Sequence, residues 1–141
     1  MNKKTAFTII ELMVVIVIIG VLAVIALPKF KLTVDRAIES DAMNKLITIH
    51  AANKIYLAQT GGYLNGNYDV DGINQNLKIN IIPDNMTYSY AGNAAAFTAT
   101  ATRQPNGDFT IRITEAPISK TPGAMNPCCS AGACPTPDNQ C

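Results

Sequence analysis

The sequence predicts an α+β fold in which the second half of one long N-terminal helix packs against a small antiparallel sheet, followed by a Cys-rich C-terminal loop. Three observations predict it. An almost wholly apolar run extends from Phe7 to Leu27, and apolar residues then recur at spacings of three and four from Val34 to Tyr56. Three short segments between Thr87 and Thr114 alternate apolar and polar residues with period two. A long helical pattern followed by strand patterns describes one sheet lying on one helix.

The run FTIIELMVVIVIIGVLAVIAL has 21 residues. As a helix rising ~1.5 Å per residue it spans roughly 30 Å, about one hydrocarbon core. One residue does not belong in it: Glu11, which costs on the order of 2.5–3.5 kcal/mol at mid-membrane and less near an end. Such a residue needs a partner. Gly20 and Pro28 punctuate the run. Pro28 has no N–H for the carbonyl of Val24, which costs ~3 kcal/mol or more in a continuous helix, and Gly20 costs ~1 kcal/mol relative to alanine. Gly20 to Pro28 is therefore the weak part of the helix, open either to a simple kink or to unwinding among packed neighbours.

Ahead of the run stand Met1-Asn2-Lys3-Lys4-Thr5-Ala6, a charged tip and a small residue before an aromatic. With Phe7, Thr8, Glu11, Gly20 and Pro28 at their spacings, this segment resembles the type III signal of type IV pilins and type II secretion pseudopilins. Ala6 stands where that family nearly always has glycine. The resemblance implies a leader peptide at 1–6, cleavage between Ala6 and Phe7, N-methylation at Phe7, and a transmembrane and polymerisation helix over 7–28. Thr8, Glu11, Gly20 and Pro28 become its assembly residues. It implies the pilin fold, a homo-oligomeric helical filament, and as partners a prepilin peptidase, an inner-membrane platform and an assembly ATPase. The precursor would sit in the inner membrane as a single pass with a cytoplasmic N-terminus, and the mature form in an extracellular or periplasm-spanning filament. A secretion pseudopilin is the alternative within the family, and a membrane-tethered extracytoplasmic binding module the alternative outside it.

Composition agrees with a packing protein. Charged residues are 15% of the chain and the formal net charge is +1. Losing Lys3 and Lys4 from 11 basic residues leaves nine against 10 acidic, or −1. That balance argues against nucleic acid as a partner, whose binding rests on clustered Lys and Arg. Lys and Arg lie on both sides of the apolar run and do not orient it. The cysteines do: Cys128, Cys129, Cys134 and Cys141 all fall in the last 14 residues, a cluster that fits an oxidising compartment outside the membrane.

Over 29–60 the helix resumes, with Val34, Ile38, Ala42, Leu46, Ile49, Ala52 and Tyr56 on the apolar face and Arg36, Glu39, Ser40, Asn44 and Thr48 opposite. Gly61-Gly62 ends it. Residues 61–86 read as an ordered loop with at most a short helix or strand near Leu77–Ile82. Within it Asp69-Val70-Asp71-Gly72 has too few acidic ligands for a calcium loop and reads as a solvated turn. Residues 87–115 form a meander of Thr87–Tyr90, Phe97–Thr102 and Phe109–Thr114, turned at Gly92-Asn93 and Pro105-Asn106-Gly107.

The tail, 116–141, carries Pro117, Pro122, Pro127, Pro135 and Pro137 and is expected to lack regular structure. Its cysteines pair as 128–134 with 129–141 or as 128–141 with 129–134. Zinc is a poorer fit, because the C-C-x4-C-x6-C spacing lacks C-x2-C knuckles. No catalytic residue, metal site or cofactor is expected. The single histidine, His50, sits among apolar helix residues, and no nucleophile elbow or phosphate loop appears.

Overall fold

The computed structural model describes residues 8–121 and 123–141. The leader, the Ala6–Phe7 cut and Phe7 itself lie outside the described residues, as do Pro122 and the side chains at 26–28. Helix α1 runs Ile9–Thr60, followed by β1 Gly66–Asp69, α2 Val70–Leu77, β2 Met86–Gly92, β3 Phe97–Arg103, β4 Phe109–Thr114 and β5 Cys128–Gly132. A single 3-10 turn, Pro137–Asn139, lies in the tail. The architecture is the α+β one expected. Helix α1 is helical through Gly20 and Pro28, and Gly61 ends it in the left-handed region at φ 82°, its N–H donating to the Leu57 carbonyl at 2.8 Å.

The chain divides into two units, 1–35 and 36–141. In the second, the five strands form one antiparallel sheet in sequence order. One face of β2, β3 and β4 is buried, and the residues between are half-buried or exposed. Register puts Tyr90 beside Ala99 and Ala99 beside Ile113, then Tyr88 beside Ala101 and Ala101 beside Ile111. Large residues thus flank a small central strand, leaving room for Ala42, Leu46 and Ile49 of α1, all fully buried.

Four expectations are corrected. Residues 61–86 are more structured than a loop: β1 adds an edge strand to β2. Asp69 is the N-cap of α2, accepting from the Gly72 N–H at 3.0 Å, so it is committed to the backbone. The tail is not wholly irregular either, because β5 pairs with β4 across a register shift at Thr110/Ile111. At the end of β5, Gly132 has φ +86° and a side chain there would collide with the Asp108 carbonyl oxygen. On the helix, Glu39 is 1% exposed, not on the solvent face, while Val34 is exposed and Tyr56 only half-buried. The stripe ends where the sheet ends, and the tail covers Glu39 from the other side.

Two buried tyrosines make opposite demands. The Tyr90 hydroxyl lies 3.0 Å from Asn53 Oδ1 and 2.8 Å from the Leu64 carbonyl oxygen, donating between them. Asn53, fully buried, donates to the Ile49 carbonyl at 3.2 Å. The Tyr88 hydroxyl is buried with no hydrogen-bond partner among the described residues. Tyr90→Phe should cost about 1–3 kcal/mol because it leaves buried acceptors unpaired, whereas Tyr88→Phe should be neutral or stabilising. Burial pushes the Tyr88 phenol up to about 12, and burial likewise raises Tyr90. Above about pH 10 an unfolded chain releases tyrosine protons that the folded one retains, so stability falls as pH rises. Denaturant titrations between pH 7 and 11.5 should show that decline, and Tyr88→Phe should lessen it. An unchanged slope in Tyr88→Phe would count against the buried, unpaired phenol.

Candidate functional site

The first part of the site is the start of α1. Glu11 Oε2 accepts from the Thr8 N–H at 2.9 Å and from Thr8 Oγ1 at 2.8 Å. The Glu11 N–H donates back to Thr8 Oγ1 at 3.3 Å. This is a capping box, in which Thr8 and the acid three residues on satisfy each other's orphan groups. The partner that Glu11 requires is thus supplied within the chain by Thr8. The pattern Thr8-x-x-Glu11 ahead of an apolar run is legible in the sequence, although its spacing alone does not separate a cap from an intermolecular contact.

Behind this cap the helix is bare. From Ile9 to Ile25 the large apolar side chains are 50–84% exposed. At Gly20 an added methyl group would meet nothing within 4 Å, so nothing in the chain around it requires glycine there. No single helix among the described residues is long and apolar enough to cross a membrane; Ile9–Ile25 and Lys29–Thr60 meet the requirement as a pair, by length and composition.

The second part is the tail. Cys128 bonds to Cys141 and Cys129 to Cys134, one of the two arrangements the spacing left open. All four sulfurs are consumed, and none is free to ligate a metal. The Cys141 N–H donates to the Cys129 carbonyl at 3.1 Å, drawing the C-terminus onto β5. Asn126, buried, accepts from the Thr114 N–H at 3.0 Å and donates to the carbonyls of Thr114 and Ala116 at 3.2 and 2.6 Å. Asn139 Nδ2 donates to Glu39 Oε1 at 3.1 Å, and Arg36 Nε to the Pro135 carbonyl at 3.3 Å. These contacts join residues roughly a hundred apart, and no local pattern announces them. His50 is buried with Nε2 3.1 Å from the Ala116 carbonyl and its ring 5.8 Å from that of Phe97. It serves packing.

Residues 1–27 match the family model for the prokaryotic N-terminal methylation motif. By motif and by relatives, this is a chain of the type IV pilin family. It is similar to the type IV major pilin protein PilA of Myxococcus xanthus strain DK1622, 38% identical over 61 residues, which are 43% of this chain and 28% of that protein. It is also similar to the fimbrial protein of Moraxella nonliquefaciens, 55% identical over 42 residues, 30% of this chain and 27% of that protein. The chain thus spans under a third of the length of these curated relatives. No solved structure matches it. The family is one of structural pilin subunits rather than enzymes.

The disulfides of this type IV pilin-family chain should differ in their contribution. Cys128 and Cys141 are 13 residues apart and Cys129 and Cys134 are 5 apart. Loop-closure entropy assigns about 3 kcal/mol to the longer loop and about 2 kcal/mol to the shorter. Paired Cys→Ala variants, followed by denaturant unfolding, should rank in that order. Equal or reversed losses would show that lost packing of the half-cystines outweighs the entropy of the loops.

Proposed function

We propose that the chain is the structural subunit of a type IV pilus-like filament. It enters the inner membrane as a single-pass precursor, is cut between Ala6 and Phe7 by a prepilin peptidase, N-methylated at Phe7, and polymerised through α1. The observation that carries this reading is the bare apolar surface from Ile9 to Ile25, directly behind a methylation motif and broken by one capped carboxylate. In this reading residues 7–28 insert and polymerise, 29–60 anchor the globular part, 61–86 and 87–115 complete it, and 116–141 form the stapled tail. Platform protein and assembly ATPase drive extraction. The filament is extracellular, the relatives being a major pilin and a fimbrial protein.

Glu11 has two tasks in sequence. Before assembly Thr8 holds its carboxylate, which keeps an acid tolerable at the edge of the membrane. After cleavage Phe7 carries a positive α-amine, and a staggered neighbour brings that amine to Glu11. Apolar side chains slide past one another and set no register, whereas a desolvated charge pair does. Gly20 and Pro28 weaken the helix between them, which lets it adapt to packed neighbours. Gly20→Ala should therefore strengthen the helix of the lone subunit while disfavouring the filament.

The test is electron microscopy of sheared surface filaments, with intact mass of the subunit. The mass should correspond to a chain beginning at N-methylated Phe7; Met1 retained in the assembled form would overturn the processing. Glu11→Gln keeps the cap, since glutamine serves in a capping box, but loses the charge. Both Glu11→Gln and Glu11→Val should leave the subunit in the membrane and lower filament yield at least about tenfold, corresponding to ~1.4 kcal/mol. Normal yield from Glu11→Gln would reduce the residue to a helix cap.

A further inference from the structure

Phe30 is the only exposed aromatic among the described residues, 70% exposed, with exposed Lys29 and Lys31 on either side. Large aromatics are enriched among the residues that dominate protein interfaces. In the unit 36–141, between α1 and the stapled tail, lies a cleft of about 400 Å³. Its apolar lining is Met43, Ile47, Ile118 and Met125, and its carboxylates are Glu39 and Asp138. The volume is ample for a phenyl ring, and thioethers make favourable contacts with aromatic rings. Arg36 also lines the cleft with its Nε given to the Pro135 carbonyl, as does Lys120. The exposed Asp138 and the buried, unpartnered Oε2 of Glu39 leave acceptors at the cleft for incoming cations.

We propose that Phe30 of one copy seats in the α1–tail cleft of another, its ring against the two methionines and a flanking lysine against Asp138. The inference rests on the filament reading and names one of its contacts. The occupant is a second copy because a knob and a cleft on different patches of one chain make a heterologous contact. Contacts of that kind propagate into open helical filaments instead of closing as a dimer. The stapled tail then has a task in assembly: with its two disulfides it holds one wall of the cleft in place.

The test places photoreactive benzoylphenylalanine at position 30 of the full chain and irradiates sheared filaments. Mass spectrometry should find intersubunit cross-links to peptides carrying Met43, Ile118 or Met125. Ile118→Trp, on an exposed wall, should fill the cleft and cut those cross-links at least about fivefold; Met43→Trp provides a second plug should the first disturb folding. Filaments that cross-link only within 9–25 or on the outer face of the sheet would overturn the cleft contact and leave the filament reading intact. An unmodified chain that forms no filament would overturn both.

Discussion

From Ile9 to Ile25 the large side chains of α1 are at least half exposed, and water is an unfavourable solvent for so much apolar surface. Everything else about the chain answers that constraint. A lipid phase covers the surface of a lone subunit, and other copies of the same helix cover it in a filament. Either cover is dry, so each polar group along the stretch has to be satisfied locally. Thr8 and Glu11 do so at the helix start, where four backbone N–H groups would otherwise lack partners.

The globular part solves a different problem on the same helix. Here the sheet supplies the cover, and large residues of β2 and β4 straddle the alanines of β3 so that α1 can approach closely. Asn53 and Tyr90 join the two layers by hydrogen bond inside the core. Such a bond fixes orientation, because an alternative packing would leave both groups buried and unpaired. The Lys45 ammonium does the equivalent at the surface, reaching Asp41 at 2.8 Å, Asp84 at 2.7 Å and the Ile82 carbonyl at 2.8 Å. It ties the segment before β2 to the helix.

The tail has little apolar matter of its own and is held by covalent and polar means. Two disulfides, the Asn126 side chain and the Asn139–Glu39 contact take the place of a core. A buried Glu39 bonded through only one oxygen is a costly way to close a seam. A contact from another copy at that seam would offset the cost.

Local periodicity was enough to read the long helix, the three central strands and the buried face of each, because a period of 3.6 or 2 is set by backbone geometry alone. The assembly motif was legible for a similar reason: an acid within an apolar run is conspicuous whatever surrounds it. The edge strands β1 and β5 were not legible. Gly66-Asn67-Tyr68-Asp69 and Cys128-Cys129-Ser130 have no strand pattern, and become strands only because β2 and β4 present unpaired edges beside them. Nor was the burial of Glu39 and Asn53, since a polar residue is buried only when a distant group arrives to pair with it. Cysteine spacing allowed two pairings. Tertiary structure chose between them, with β5 placing Cys129 beside Cys134 and Cys128 beside the returning C-terminus. The sequence by itself determined which surfaces are apolar and which residue interrupts them. Only the fold decided which polar groups are buried, because that depends on contacts between residues far apart along the chain.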